Sequence, residues 1–147
     1  MFTYGGEATI DRPAHEVFAF VAAPENLPRW SDVSYVEKLT DGPMGLGTRV
    51  KMTMGQGPMR ATSEFEVSEW EDDRTLTFKT VPPHWLLWDA TYRVEAVGPS
   101  SSRITTNGQI TLSGIRRVLE PVIRNELSKG EQGELDRLKA ILEERPA

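Results

Sequence analysis

The chain contains no cysteine among its 147 residues. That removes disulfides, thiolate nucleophiles, zinc knuckles and iron–sulfur clusters together. Histidine is scarce, with only His15 and His84 present. Neither His-Glu-x-x-His nor His-x-x-His spacing occurs, so no metal site is expected. No run approaches 18 uninterrupted apolar residues, which excludes a helical membrane span and any integral membrane association of that kind. The opening MFTYGGEATIDRP lacks a basic stretch followed by an apolar run, and no signal peptide is expected. There is no basic excess: 17 lysines and arginines face 22 aspartates and glutamates, a net charge of −5. Overall charge therefore points to neither a nucleic acid nor an anionic membrane as partner. A Gly-x-Ser-x-Gly elbow is also missing, so a hydrolase triad lacks its nucleophile turn. Gly45-x-Gly47 and Gly55-x-Gly57 neither open a helix nor precede a lysine–serine/threonine pair. They read as hairpin glycines, and no nucleotide cofactor is expected.

What is present is the composition of a globular chain, 38% apolar and 27% charged, which argues against disorder throughout. The length predicts a single domain over residues 1–147, expected in the cytoplasm. Turn signals recur at short intervals, at residues 41–43, 55–58, 71–74, 81–84 and 98–101. Between them apolar residues alternate with period two, the pattern of half-buried strands. Val50, Met52 and Met54 share one parity, as do Met59, Ala61, Ser63, Phe65 and Val67. Leu76 and Phe78, Leu86 to Ala96, and Ile104 to Leu112 continue it. Short links between such strands predict an antiparallel meander with one wet and one buried face.

Helical spacing is confined to the two ends. Asp11 is a candidate cap, with Pro13 in the first turn and Ala14, Val17, Phe18 and Val21 on one face. A second short turn over residues 24–30 carries Leu27 and Trp30 inward. From Ser113-Gly114 to about Glu143, a long helix is expected with the stripe Ile115, Val118, Leu119, Val122, Ile123, Leu127, Leu138, Ile141 and Leu142. Pro121 falls inside it and predicts a kink. Arg116, Arg117 and Arg124, with Glu120 one turn away, read as a solvated ion-paired face, contact with anionic lipid being the rarer alternative. Helices segregated from an antiparallel sheet define an α+β domain.

Several segments resemble one known superfamily. Residues 10–20, IDRPAHEVFAF, are similar to its strand-to-helix opening, and residues 24–30, PENLPRW, to its second helix ending in tryptophan. Residues 45–50, GLGTRV, resemble its glycine–threonine lead into the third strand. Leu119-Glu120-Pro121 and residues 135–143, LDRLKAILE, resemble its terminal helix. The superfamily is that of START, Bet v 1 and polyketide cyclase/dehydrase proteins (SRPBCC). The resemblance implies a helix-grip fold: a curved antiparallel sheet wrapped around a long C-terminal helix, with two short helices between the first two strands. It also implies a space between sheet and helix, carrying a cavity and not a catalytic signature.

The inward strand parity carries Met52, Met54, Phe65, Phe78, Trp88, Tyr92 and Ile110. A solid core accounts for these residues as well as a cavity does. Adaptable methionine, and the small or hydroxylated Ala61, Ser63, Thr80, Ala90, Thr106 and Gly108 on the same parity, favour a hollow. On the helix, Leu127, Gly130 and Glu134 fall on the stripe. Gly130 stands where a core side chain is expected, at a propensity cost of roughly 1 kcal/mol. The candidate ligand-binding set is therefore Met52, Met54, Ser63, Phe65, Phe78, Trp88, Tyr92, Thr106, Ile110, Leu127, Gly130 and Glu134. Glu134 as an exposed flank, and Tyr92 as a plain core aromatic, are the competing readings. The expected partner is a small hydrophobic molecule, polyketide-, lipid- or isoprenoid-like. A genuine cyclase or dehydratase using some of Tyr92, Ser63, Thr106 and Glu134, and a protein-interaction module without ligand, are the alternatives.

Overall fold

The computed structural model describes residues 1–55, 60–82 and 85–144, except for the side chains of residues 126–129 and 131. The chain starts as β1 (Phe2–Ile10), then forms α1 (Ala14–Ala22), a 3₁₀ turn (Pro24–Asn26) and α2 (Leu27–Trp30). Six strands follow: β2 (Val33–Lys38), β3 (Arg49–Met54), β4 (Ala61–Glu71), β5 (Thr75–Thr80), β6 (Leu86–Gly98) and β7 (Ser101–Leu112). A 3₁₀ segment (Gly114–Leu119) leads into α3 (Glu120–Glu144).

The seven strands make one sheet in the order β1-β7-β6-β5-β4-β3-β2, and every neighbouring pair is antiparallel. The two short helices carry the chain from one edge to the other, and the meander walks back until β7 pairs with β1. Register shifts interrupt β2 at Val33/Tyr35, β4 at Val67/Glu69 and β6 at Ala96/Gly98. Extra residues of this kind bend a strand and raise its twist, and the sheet curves around the helical layer. On its outer face, threonine pairs satisfy buried hydroxyls. Thr53 Oγ1 meets Thr62 Oγ1 at 2.7 Å, and Thr77 Oγ1 lies 2.8 Å from Thr91 Oγ1 while donating to Glu69 Oε1.

The inner face holds Ile10, Val50, Phe65, Val67, Leu76 and Ile104, closed from the helical side by Val17, Trp30, Leu135, Leu138 and Leu142. The alternating strands and the α1 face Val17, Phe18 and Val21 are thus buried as expected from their spacing.

Three local expectations are corrected. Asp11 is not the cap of α1; Pro13 occupies that position without a side-chain cap, and the Asp11 amide donates to Glu143 Oε2 at 2.9 Å. Pro121 does not kink a continuous helix. It sits in the first turn of α3, where its missing N–H costs no internal bond, and marks the change from 3₁₀ to α geometry. Ile115 and Val118 do not reach the core, because the 3₁₀ segment has three residues per turn and breaks the stripe; both are exposed.

The end of α3 is fastened to the β1–α1 turn. Glu143 accepts from Lys139 Nζ at 2.7 Å as well as from the Asp11 amide, and Lys139 also donates to the Thr9 carbonyl at 2.6 Å. The Lys139 ammonium, helped by that amide, holds the Glu143 carboxyl below the ordinary carboxylate value.

Candidate functional site

The buried apolar residues fall into two clusters rather than one. The larger contains Met52, Phe65 and Phe78 with the helices. The smaller consists of Phe2, Leu86, Ile110 and Leu112, with Tyr4, Trp85, Trp88 and Ile123 packed against it. Domains of this size have one main contiguous core, with smaller satellite clusters beside it. Here a cavity of about 840 Å³ lies between them, lined by residues of both, including Met52, Phe65, Phe78, Leu86 and Ile110.

Trp88 belongs to the wall on both sides. Its backbone is held by a side chain: Thr80 Oγ1 accepts from the Trp88 amide at 2.9 Å and donates to its carbonyl at 3.2 Å. Thr80 thereby extends the β5–β6 ladder one step beyond its last backbone pair, Lys79 with Asp89. The Trp88 indole Nε1 donates to the Tyr4 hydroxyl at 2.7 Å, with the two rings edge-to-face at 6.2 Å. Tyr4 reaches this position because its register partner on β7 is Gly108. A Cβ at 108 would fall inside the van der Waals envelope of Tyr4 Cε1 and Cζ. The missing side chain lets the tyrosine ring lie flat across β7.

The mouth is polar on one side. Ser31, Asp32, Ser34 and Glu134 line it where α2 and β2 meet α3. Glu134 Oε1 accepts from the Asp32 amide at 3.1 Å. Arg137 donates to Asp32 Oδ1 at 3.3 Å and to the Trp30 carbonyl at 3.1 Å. Behind the mouth, Trp30 stacks edge-to-face on Tyr92 at 5.8 Å. Among the described residues, no group of three His, Asp or Glu side chains is placed to hold a metal ion.

With this geometry established, comparison with known proteins is informative. The model of the family described as polyketide cyclase / dehydrase and lipid transport matches residues 1–143. The chain belongs to this family. A START superfamily protein from Mycobacterium smegmatis superposes with a TM-score of 0.79 at 10% identity, over 96% of this chain and 97% of that one. Truncated norcoclaurine synthase from Thalictrum flavum superposes with a TM-score of 0.71 at 16% identity, over 99% and 95%. The di-domain ARO/CYC protein BexL of the BE-7585A biosynthetic pathway matches with a TM-score of 0.73 at 19% identity, covering 95% of this chain and 46% of BexL. The chain therefore spans about half of BexL. At these identities the likeness is one of fold, START/Bet v 1-like. No curated protein sequence matches the chain.

Of the residues the sequence singled out, Met52, Met54, Phe65, Phe78, Trp88, Tyr92, Ile110 and Glu134 line the cavity. Ser63 and Thr106 are buried in the sheet face and are not among the lining residues; Thr106 is the register partner of Tyr92. Gly130 is not among the lining residues. A Cβ there would lie 3.4 Å from Asp32 Oδ2, an ordinary van der Waals contact. The side chain of Leu127, together with Met59 and His84, lies outside the described residues. Sequence reasoning missed Tyr4, Leu27, Trp85 and the mouth residues Ser31, Asp32 and Ser34, all of which line the cavity. Period-two spacing from Ile10 back through Ala8 and Gly6 puts Tyr4 on the inward parity, but the Gly5-Gly6 pair hides that signal.

Proposed function

We propose that this chain, acting as one domain in the cytoplasm, binds a small, mainly apolar molecule in the cavity between sheet and α3. The observation that carries the reading is the cavity: about 840 Å³ of space walled by aromatic, methionine and aliphatic side chains. That size falls in the range of ligand pockets, as does the proportion of a few polar groups on an apolar wall. The Tyr4–Trp88 pair inside and the Ser34, Asp32 and Glu134 side of the mouth favour a ligand with an apolar body and at least one hydrogen-bonding end. Polyketide-, lipid- and isoprenoid-like molecules share that chemistry. Family membership supports the same class, and two fold neighbours have names tied to small-molecule biosynthesis, norcoclaurine synthase and the ARO/CYC protein.

The test combines native mass spectrometry of the purified protein with titration of a fluorescent apolar dye. Ala61 lines the cavity and is half-buried, so Ala61→Leu adds bulk to that space. Dye affinity is expected to fall at least about tenfold, the equivalent of about 1.4 kcal/mol, with the melting temperature nearly unchanged. A wild-type protein that carries no small molecule and binds no dye, or dye binding that Ala61→Leu leaves intact, would overturn the reading.

A further inference from the structure

The overall negative charge of the chain conceals a local surface of the opposite kind. The 3₁₀ segment Gly114–Leu119 and the first turn of α3 expose three β-branched side chains, Ile115 at 88%, Val118 at 79% and Val122 at 50%. Single exposed aliphatics are ordinary, but a contiguous group is not. In a 3₁₀ helix, residues three apart eclipse, so Ile115 and Val118 form one ridge, and Val122 continues it one turn on. Arginines flank this ridge. Between Gly114 and Arg124 the sequence holds Arg116, Arg117 and Arg124 against a single acid, Glu120. Glu120 is already engaged by the Met1 amine at 3.1 Å and by Arg124 at 3.5 Å. Among the described residues, Arg116 and Arg117 make no ion pair.

The ridge is continuous with the lining of the cavity. Arg116 stacks over the Trp85 ring at 4.8 Å, and Trp85, Val122 and Ile123 line the cavity. The start of the segment is tied to the same place, since the Ser113 amide donates to the Trp85 carbonyl at 2.9 Å. Apolar side chains flanked by arginines that outnumber the one nearby acid match the two layers of an anionic lipid surface, with phosphates outside and acyl chains beneath. We propose that Ile115, Val118 and Val122, with Arg116 and Arg117, dock the chain on an anionic bilayer surface with the Trp85 and Val122 side of the cavity wall nearest the lipid. The docking is peripheral: no helix of the described residues is long and apolar enough to cross a membrane. It stands on the surface residues alone, whatever the cavity holds.

The experiment is co-sedimentation of the full chain with vesicles of phosphatidylcholine, and with vesicles of equal parts phosphatidylcholine and phosphatidylserine. Binding to the anionic vesicles, weakened by salt and absent from the neutral ones, is the expected result. Ile115→Ser/Val118→Ser should abolish it. Arg117→Gln should weaken it about fivefold, the equivalent of about 1 kcal/mol for one basic side chain at an anionic surface. All these positions are exposed, so melting temperatures report intact folding, and the apolar dye reads the cavity separately. Failure to bind anionic vesicles, or binding untouched by the variants, would overturn the proposal. So would a wild-type dimer that Ile115→Ser/Val118→Ser turns into a monomer without any vesicle binding, which would assign the ridge to a second copy.

Discussion

Gly108→Ala tests the cavity wall at its most constrained point. Gly108 does not have a positive φ, so alanine is compatible with the backbone. Its methyl group would overlap the Tyr4 ring, and a ring carried on two torsions can only swing away as a unit. That movement breaks the 2.7 Å bond from Trp88 Nε1 and the 6.2 Å edge-to-face contact. Losing a partly buried hydrogen bond costs about 1–3 kcal/mol, and the ring contact adds about 0.5–1.5 kcal/mol. Against this, alanine restricts the unfolded chain and returns about 0.4–1 kcal/mol. The balance is a loss of about 0.5–4 kcal/mol, or about 1–16 °C in melting temperature for a chain of this size. Thermal melts and urea titrations on Gly108→Ala, Tyr4→Ala and the double variant form the assay. In the Tyr4→Ala background the overlap is gone, and Gly108→Ala should be neutral or slightly stabilising. An equal cost in both backgrounds, or no cost in the wild type, would refute the idea that glycine is there to admit the tyrosine.

Two further tests probe other points. Glu143→Gln should lower stability at neutral pH by about 0.2–1 kcal/mol and flatten the acid limb of stability against pH. The folded carboxyl is held below its unfolded value, so its contribution is present above about pH 4.3 and fades as pH falls through the folded value; melts at stepped pH that show parallel acid limbs would count against this. Trp30 is fully buried, and its indole nitrogen has no hydrogen-bond partner among the described residues. Trp30→Phe removes that orphan donor, worth about 1–3 kcal/mol, which offsets lost packing, and urea unfolding should place the variant within about 1 kcal/mol of wild type; a loss above about 3 kcal/mol would contradict the reasoning.

The elements that could be read from the sequence are those whose signal is local. Leu76 and Phe78, or Ile104 to Leu112, announce strands by their own alternation, and turn residues at 71–74 and 98–101 separate them. Most of the cavity wall follows, because parity alone places Met52, Phe65, Phe78 and Ile110 on the inner face. What could not be read depends on partners distant in sequence. Tyr4 owes its position to Gly108, and Glu134 is set against the Asp32 amide; neither pairing leaves a periodic trace. Ile115 and Val118 match a helical stripe on paper, but that stripe assumes 3.6 residues per turn. Once Pro121 fixes the start of the α-helix and the preceding turn tightens to 3₁₀, the same two residues face water.

The placement of β1 has a consequence for the order in which this molecule assembles. Each of the strands β2 to β7 pairs with its neighbour in sequence, so each can zip onto its predecessor with a comparatively small loop closed. β1 instead pairs with β7, Phe2 opposite Ile110, which closes a loop of roughly a hundred residues. Closure entropy grows as (3/2)RT ln n, so this step costs about 2 kcal/mol more than a loop of roughly ten residues. The long-range pairing becomes favourable only after the meander has formed to receive it. Tyr4 arrives with β1, so the hydroxyl that meets Trp88 is among the last pieces set in place. Until then β7, with Ile110 on it, is the unpaired edge of the sheet, and the hollow exists only as an open trough.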